Sequence, residues 1–518
     1  MNIGSQKNAC YNESQWADME KIKTAPTVKQ INIKADNCDG CGIPLISDGR
    51  TAFVDDSDTH TIIFGSTGSK KTRLHGMPFI NITALAGESF IATDPKGELH
   101  QKTSGLVSAK KYKIIVLNFR DLTQSDFWNP LMLPYQLYHS GKIDEAVSML
   151  NDFIMALAEQ QKKCTRDLYF IDFGCSMFLA YLLFFIDTAK PEEANIYNFA
   201  TFFAKKSSIQ ATREMREYVA EGSIAAINLD GLLTNGEAEK THSNISSTVF
   251  LMLSPFVIRK TLCQILSKSS FDLTSIGKEK TAIYIIVPDE KSALHFLVTA
   301  FIKQIYEVLI HEAQRNEDKK LPVRLNFLLD EFLNIPTIPD MSSMITAARS
   351  RNIRFFLMVQ GLRQLEYKYG EEAHNIIGNC ENIVFLASKE RALLDEISYL
   401  CGDTLHSDEN GIISSRPLIS VSELQRLKKE KGEVLILHGR HYPFVTELPD
   451  IDDWEFASYP PTKSQEAELP KIISYNISNV LAEIRKRERP LPFSEEVSEE
   501  KVFMEAINVP NSFDLFDW

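Results

Sequence analysis

The stretch from residue 59 to residue 72 constrains the fold more than any other. The apolar, β-branched run Thr59–Phe64 (THTIIF) passes without a spacer into Gly65-Ser66-Thr67-Gly68-Ser69-Lys70-Lys71-Thr72, and the residues that follow can start a helix. A strand that ends in a glycine-bearing turn and then a helix leaves backbone N–H groups aimed outward, where they cradle phosphate. In this P-loop pattern Lys71 reaches the β and γ oxygens and the Thr72 hydroxyl binds Mg²⁺. The pattern G-x-x-x-x-G-K-[ST] places glycine before that lysine, and here Lys70 occupies the position. A side chain there can displace the neighbouring N–H groups from the phosphate. Two readings stay open: the loop tolerates Lys70 and gains a positive charge near the phosphates, or nucleotide binding is weakened and the chain is a degenerate ATPase. The plainer alternative is a strand-to-helix turn that merely contains glycines.

A second motif weighs against that alternative. The apolar run RLNFLL ends in Asp330-Glu331, the Walker B arrangement, in which the first carboxylate holds Mg²⁺ through water and the second polarises the attacking water. The next strand-like run, RFFLMV, ends in Gln360, where an amide can touch the γ-phosphate or its water. An ordinary polar residue at a strand end is the competing explanation for Gln360.

Around these motifs, short β-branched runs alternate with helical segments, which predicts an α/β P-loop fold with a mostly parallel sheet flanked by helices. Strands are expected at Thr59–Phe64, Ser89–Thr93, Lys113–Leu117, Ala282–Val287, Arg324–Leu329, Arg354–Val359, Asn382–Ala387 and Glu433–His438. Between the third and fourth, helical periodicity dominates, with helices expected over Ile143–Gln161, Leu168–Ile186, Ile209–Gly222 and Asn244–Leu266. The domain reading is therefore a lead-in over 1–50, a nucleotide-binding α/β domain over 51–135 and 276–455, an inserted all-α domain over 136–275, and an acidic, partly disordered tail over 456–518. With 518 residues there is room for several domains.

Composition limits the function. A formal net charge of -13 argues against a chain that coats nucleic acid over its whole surface, and leaves a local basic channel as the route to DNA. Eight scattered cysteines form no dense disulfide framework, which fits a reducing compartment. Cys38 and Cys41 lack a second pair at zinc-ligand spacing and read as part of a turn with Asp39, Gly40 and Gly42. The run from Leu168 to Ile186 is about long enough to cross a bilayer, but Asp172 lies inside it and its flanks, Arg166, Asp167 and Asp187, make no positive-inside pattern. It reads as a buried helix. The polar N-terminus shows no apolar leader, so the expectation is a cytoplasmic protein, held at the inner face of the membrane through a partner if at all.

Five blocks carry a family resemblance: DDSDTHTIIFGSTGSKKTR, FIATDPKGELHQKT, LNFRDLTQSDFWNPL, LLDEFLNIPTIPDMSSMITAARSRNIRFFLMVQGLRQL and NIIGNCENIVFLASKE. In order and spacing, over about residues 45–450, they resemble the TraG/TraD-type coupling proteins of conjugation and type IV secretion. The resemblance implies a RecA-like motor with an inserted all-α domain, using ATP and Mg²⁺. It implies a hexamer that recruits a relaxase–DNA complex and moves single-stranded DNA to the secretion channel subunits. By the same resemblance Lys71, Thr72, Asp330 and Glu331 take the nucleotide and metal roles and Gln360 the sensor role. Asp94 and Lys96 lie beside the phosphates, and Arg349 and Arg351 are candidate intersubunit residues. Membrane-spanning helices, usual at the start of such proteins, are not expected here, and Gly361 follows the glutamine where serine is common. A non-catalytic adaptor that collects substrates, or a soluble DNA motor of a mobile element acting outside secretion, are the other functions considered.

Overall fold

The computed structural model describes residues 13–162, 168–235, 239–407, 413–462 and 468–478. Over these, the chain divides into two compact units. One takes in Met1–Val116, Leu273–Ser292 and Tyr306–Lys463; the other takes in Leu117–Asp272, Ala293–Ile305 and Ser464–Trp518.

The strands, in chain order, are β1 (Val28–Asn32), β2 (Pro44–Ser47), β3 (Thr51–Asp55), β4 (Thr61–Gly65), β5 (Ser89–Asp94), β6 (Lys113–Asn118), β7 (Thr281–Ile286), β8 (Leu325–Leu329), β9 (Ile353–Val359), β10 (Asn382–Ala387), β11 (Asp403–Ser407), β12 (Ile413–Pro417), β13 (Glu433–His438) and β14 (Phe444–Glu447). Nine of them form one sheet in the order β14-β13-β10-β4-β9-β8-β5-β7-β6. From β10 through β4, β9, β8 and β5 to β7 every neighbouring pair is parallel. The antiparallel strands β13 and β14 close one edge. Strands β4, β5, β7, β8 and β9 are buried at every position, as expected of parallel strands covered on both faces. All eight expected strands are present, with ends displaced by a residue or two.

The reading of 1–50 as a loose lead-in is corrected over its described part. Strands β1, β3 and β2 make a separate antiparallel sheet. Its inward residues Ile31, Ala52 and Val54 pack with Ile82 and Trp454. The signal was local: Asp48-Gly49 between two short β-branched runs is a hairpin turn, and Gly49 has φ +87°.

Cys38 and Cys41 lie beside this sheet. The Cys41 thiol contacts Thr83 Oγ1 at 3.3 Å, and Cys38 Sγ donates to the Gly40 carbonyl at 3.2 Å. Burial pushes the Cys38 thiol up to about 11 and Cys41 well above its ordinary value, which favours thiols over metal-binding thiolates. Among the described residues no group of three or more His, Cys, Asp or Glu side chains is placed to hold a metal ion.

The second unit is helical. Helices Met132–His139, Ile143–Lys162, Tyr169–Thr188, Ile196–Lys206, Ile209–Tyr218, Ile224–Asn235 and Glu239–Leu253 follow one another. Phe178, Phe184 and Phe185 of the third pack on Phe199 and Phe202 of the fourth. The long helix expected over Asn244–Leu266 is broken into Glu239–Leu253, Pro255–Ile258 and Lys260–Ile265. Pro255 explains the first break, since a proline interrupts the helical hydrogen-bond ladder. This unit begins at Leu117, earlier than expected, because Trp128 is anchored within it: its indole N–H donates to Gln304 Oε1 at 2.9 Å and its ring meets Phe301 edge-on. In the described part of the tail, Tyr475 meets Phe185 and Phe202 edge-on and is hydrogen-bonded to Thr188 at 2.8 Å. Its acidic and aromatic end lies outside the described residues.

Tyr169–Thr188 and Ser292–Arg315 are long and apolar enough to cross a membrane, and most of each is buried within the protein.

Candidate nucleotide site at the strand tips

Parallel order brings the carboxyl ends of β10, β4, β9, β8 and β5 side by side, the place where open α/β sheets bind ligands. At the tips of β4, β9, β8 and β5 stand Gly65, Gln360, Asp330 and Asp94 in turn. Strand β9 lies between β4 and β8, so the Gln360 amide sits between the P-loop and the Walker B pair.

The loop closes on itself. Ser66 N–H donates to the Ala387 carbonyl at 2.9 Å and Ser69 N–H to the Ser66 carbonyl at 3.0 Å. Gly68, with φ +75°, supplies the left-handed turn. Gly65 leaves room for Ser69, whose Oγ would lie 2.4 Å from a Cβ placed there. That Ser69 oxygen is buried and has no hydrogen-bond partner among the described residues, an orphan that an incoming oxyanion could satisfy. Beyond the loop the first turn is a π-helix, Thr72–Gly76, leading into the α-helix Met77–Ala86. Pro78 accounts for it: lacking an N–H and crowding the carbonyl four residues back, it favours the wider turn in which Met77 N–H reaches Thr72 O.

Lys71 is 4% exposed; its ammonium donates to the Gly65 carbonyl and lies 3.7 Å from Glu331 Oε1. Thr72 donates its hydroxyl to Asp330 Oδ2 at 2.8 Å. A hydroxyl and a carboxylate are hard oxygen donors, so the pair suits Mg²⁺. Asp330 is pushed up to about 6, chiefly by burial and further by neighbouring Glu331, with the Thr72 hydrogen bond and Lys71 opposing. Glu331 has φ +50°, a left-handed backbone that costs a side-chain-bearing residue about 1–2 kcal/mol. Its Oε2 accepts from Gln360 Nε2 at 2.7 Å, and Thr67 Oγ1 donates to Gln360 Oε1 at 3.3 Å. The second carboxylate, the glutamine and the loop are thus one hydrogen-bonded chain.

Asp94 is buried at the tip of β5 and pushed up to about 6, mainly by burial. It accepts from His100 N–H at 2.8 Å, capping the first turn of helix Glu98–Ala109. Lys96 is exposed in the turn that follows. Arg349 and Arg351 are not brought to this site. They form a short turn ahead of β9, at the opposite end of the sheet. There Arg349 pairs with Glu381 at 2.6 Å, and Arg351 donates to the Ala347 carbonyl at 3.3 Å.

Lys70 occupies the glycine position with φ +69°, so it takes up the backbone form that glycine would adopt freely. Its ammonium leaves the loop and meets Asp450 Oδ2 at 3.3 Å. Asp450, Arg73 and Lys429, whose ammonium lies 3.8 Å from a Cβ placed on Gly68, were missed by sequence reasoning. No motif marks them: Asp450 and Lys429 reach the loop from the far end of the chain, and Arg73 gains its role only through Asp450.

The chain is similar to known proteins over most of its length. Residues 15–440 match the family model described as type IV secretory system conjugative DNA transfer. Among curated proteins, the chain is 24% identical over 369 residues to Protein VirD4 of Rhizobium rhizogenes, covering 68% of this chain and 52% of that one. It is 23% identical over 398 residues to Protein VirD4 of Rhizobium radiobacter, covering 74% and 55%. The chain spans about half the length of these curated relatives. Among solved structures, the plasmid coupling protein TrwB in complex with the non-hydrolysable ATP analogue ADPNP superposes with a TM-score of 0.58 at 14% identity, over 89% of this chain and 97% of that one. TrwB in complex with ADP and Mg²⁺ gives 0.57 at 14% identity, over 88% and 96%. These structures share the fold: a RecA-like P-loop sheet with flanking helices. With the family model matched over most of its length, the chain belongs to the type IV secretory system conjugative DNA transfer family.

Proposed function

We propose that this protein is an ATP-driven coupling motor of conjugation or type IV secretion, recruiting a relaxase–DNA complex and passing single-stranded DNA to the secretion channel. The observation that carries the reading is the convergence of Lys71, Thr72, Asp330, Glu331 and Gln360 on adjacent strand tips: Thr72 donates to Asp330 at 2.8 Å, Gln360 donates to Glu331 at 2.7 Å, and the Lys71 ammonium lies 3.7 Å from Glu331. Lys71 exchanges its bonds to Gly65 and Glu331 for the β and γ oxygens. Thr72 and Asp330 hold Mg²⁺, which when bound draws negative charge off the terminal phosphate. Glu331, released from Lys71, takes the proton of the attacking water, and Gln360 fixes where that water sits. Family membership and the TrwB complexes with nucleotide support the reading.

Assembly belongs to the same proposal. Arg349 and Arg351 lie at the opposite end of the sheet, so any contribution they make to hydrolysis is to a neighbouring subunit's nucleotide in a ring, as a hexamer supplies. Anchoring is assigned to a separate membrane partner at the cytoplasmic face. Single-stranded DNA is held by a local basic lining, since the chain is acidic overall.

Lys70 favours a second reading, a substrate-collecting adaptor with little turnover. Measurement of Mg-ATP hydrolysis with and without single-stranded DNA separates them. DNA-stimulated turnover, lost in Arg349→Ala or Arg351→Ala and partly restored by mixing that variant with Glu331→Gln subunits, supports the motor. A folded protein that binds Mg-ATP but stays monomeric and idle with DNA present supports the adaptor.

A further inference from the structure

The phosphate loop contains a cation where glycine belongs, and the structure shows what that cation does. Lys70 has φ +69°, and the direction of the N–H groups of Lys71 and Thr72 depends on that left-handed turn. A lysine left to itself relaxes out of this conformation, because its Cβ crowds the following carbonyl.

One carboxylate holds it. Asp450 meets Lys70 Nζ at 3.3 Å and accepts from Arg73 Nε at 2.8 and 3.0 Å, with Arg73 Nη2 also bound to it. Arg73 reaches Asp452 as well, and Asp452 pairs with Lys102 at 3.3 Å. The Arg73 hydrogen bond holds the Asp450 carboxyl below the ordinary carboxylate range, so it is ionised at neutral pH. The carboxylate is itself on a fixed post. Trp454 donates its indole N–H to the Pro449 carbonyl at 3.0 Å and is buried against Ile82, in the helix that follows the loop. A single anchored acid therefore grips the loop at two points, residues 70 and 73, on either side of Lys71 and Thr72.

We propose that Asp450 is a positioning residue for the phosphate loop, binding Lys70 and Arg73 so that the loop keeps the left-handed turn that glycine would adopt unaided. This rests on the reading of the loop as an ATP site and adds to it the element that makes a lysine-bearing loop competent. The acid draws the Lys70 ammonium outward, leaving Lys71 as the cation of the cradle. Lys70 and Asp450 are then a compensating pair: the acid matters because the lysine is there.

The test is a double-mutant cycle on the full chain, with Mg-ATP affinity read by calorimetry, KM and kcat by steady-state turnover, and folding by thermal melting. Asp450→Asn is expected to raise Kd and KM about tenfold with kcat within about twofold, since it disturbs binding geometry and not the chemistry. Asp450→Glu recovers most of the loss. Lys70→Gly binds at least as tightly as wild type, and in its background Asp450→Asn costs less than about threefold, the difference being the coupling between the two residues. Equal losses from Asp450→Asn in both backgrounds, or wild-type Kd in Asp450→Asn, overturn the positioning role while leaving the ATP site intact. A wild-type protein that is folded and binds no Mg-ATP overturns the ATP reading itself, a result that no additive cycle can imitate.

Discussion

The two ends of the central sheet both bury charge, and they do so differently. At the amino-terminal rim, Arg354 is 1% exposed and fully engaged: it donates to Asn326 Oδ1 at 2.8 Å, to the Cys41 and Ser57 carbonyls at 2.8 and 3.1 Å, and to Glu88 Oε2 at 2.7 Å. Glu88 also takes Arg324 at 3.1 Å, which reaches Asp56 and Asp58. At the carboxyl-terminal tips, Asp330 and Asp94 are held above their usual range, Ser69 Oγ has no partner among the described residues, and Lys70 and Glu331 have left-handed backbones. Burial of charge alone does not mark a working site. Unbalanced carboxylates, an orphan donor and backbone strain in one place do, because a site must keep capacity for a ligand that a structural cluster has already used.

The largest expected effect tests the tips. Glu331→Gln should lower ATP turnover by roughly 10²–10⁴-fold while leaving Mg-ATP affinity and melting temperature near wild type. Equal turnover in the two proteins would remove Glu331 from the chemistry. Arg354→Ala tests the rim, where it strips the partly buried Glu88 of its closest cation and Asn326, Cys41 and Ser57 of a donor, and is expected to cost about 3 kcal/mol of stability in denaturant unfolding. Its nucleotide affinity, measured below the transition, should be unchanged; a loss there would mean the two ends are coupled.

His75 extends the comparison to the helix behind the loop. Both its ring nitrogens are buried without a hydrogen-bond partner among the described residues, and burial pushes it down to about 3. His75→Leu is expected to stabilise the protein by about 1–3 kcal/mol, since it removes two unsatisfied polar atoms. The folded-state value lies below the unfolded one, so this residue's contribution is intact above about pH 6.5 and is lost as pH falls toward the folded value. Melting curves from pH 7 to pH 4 should therefore fall less steeply in the variant. The smallest effect belongs to Arg349→Ala, whose half-exposed pair with Glu381 should contribute less than about 1 kcal/mol to stability. A larger loss would make Arg349 a structural residue, against its proposed role in a neighbour's site.

Much of this was legible from local pattern. Each sheet strand is a short apolar run, and the carboxylates, glutamine and loop follow directly on those runs, so their positions at strand tips could be read along the chain. Strand order could not, because it depends on pairings between segments far apart in sequence: nothing in RFFLMV says that β9 inserts between β4 and β8. The same limit hid Asp450, which meets Lys70 across most of the chain. The hairpin at Asp48-Gly49 is a different case, a local signal present and overlooked. Arg349 and Arg351 precede β9 and so were bound to lie at the end of the sheet away from Gln360, a consequence of strand direction that periodicity alone does not display.

The burial of β4 between two late partners bears on how the protein is made. Thr61 pairs with Phe356 on one side and with Asn382 on the other. At roughly 5–20 residues per second, a ribosome takes on the order of 15–60 s to supply either neighbour after β4 has emerged. Throughout that interval an apolar strand waits without its permanent hydrogen-bond partners, while the helices encoded between β6 and β7 can settle through contacts close in sequence. Nascent chains are therefore expected to depend on holding chaperones until β10 is complete.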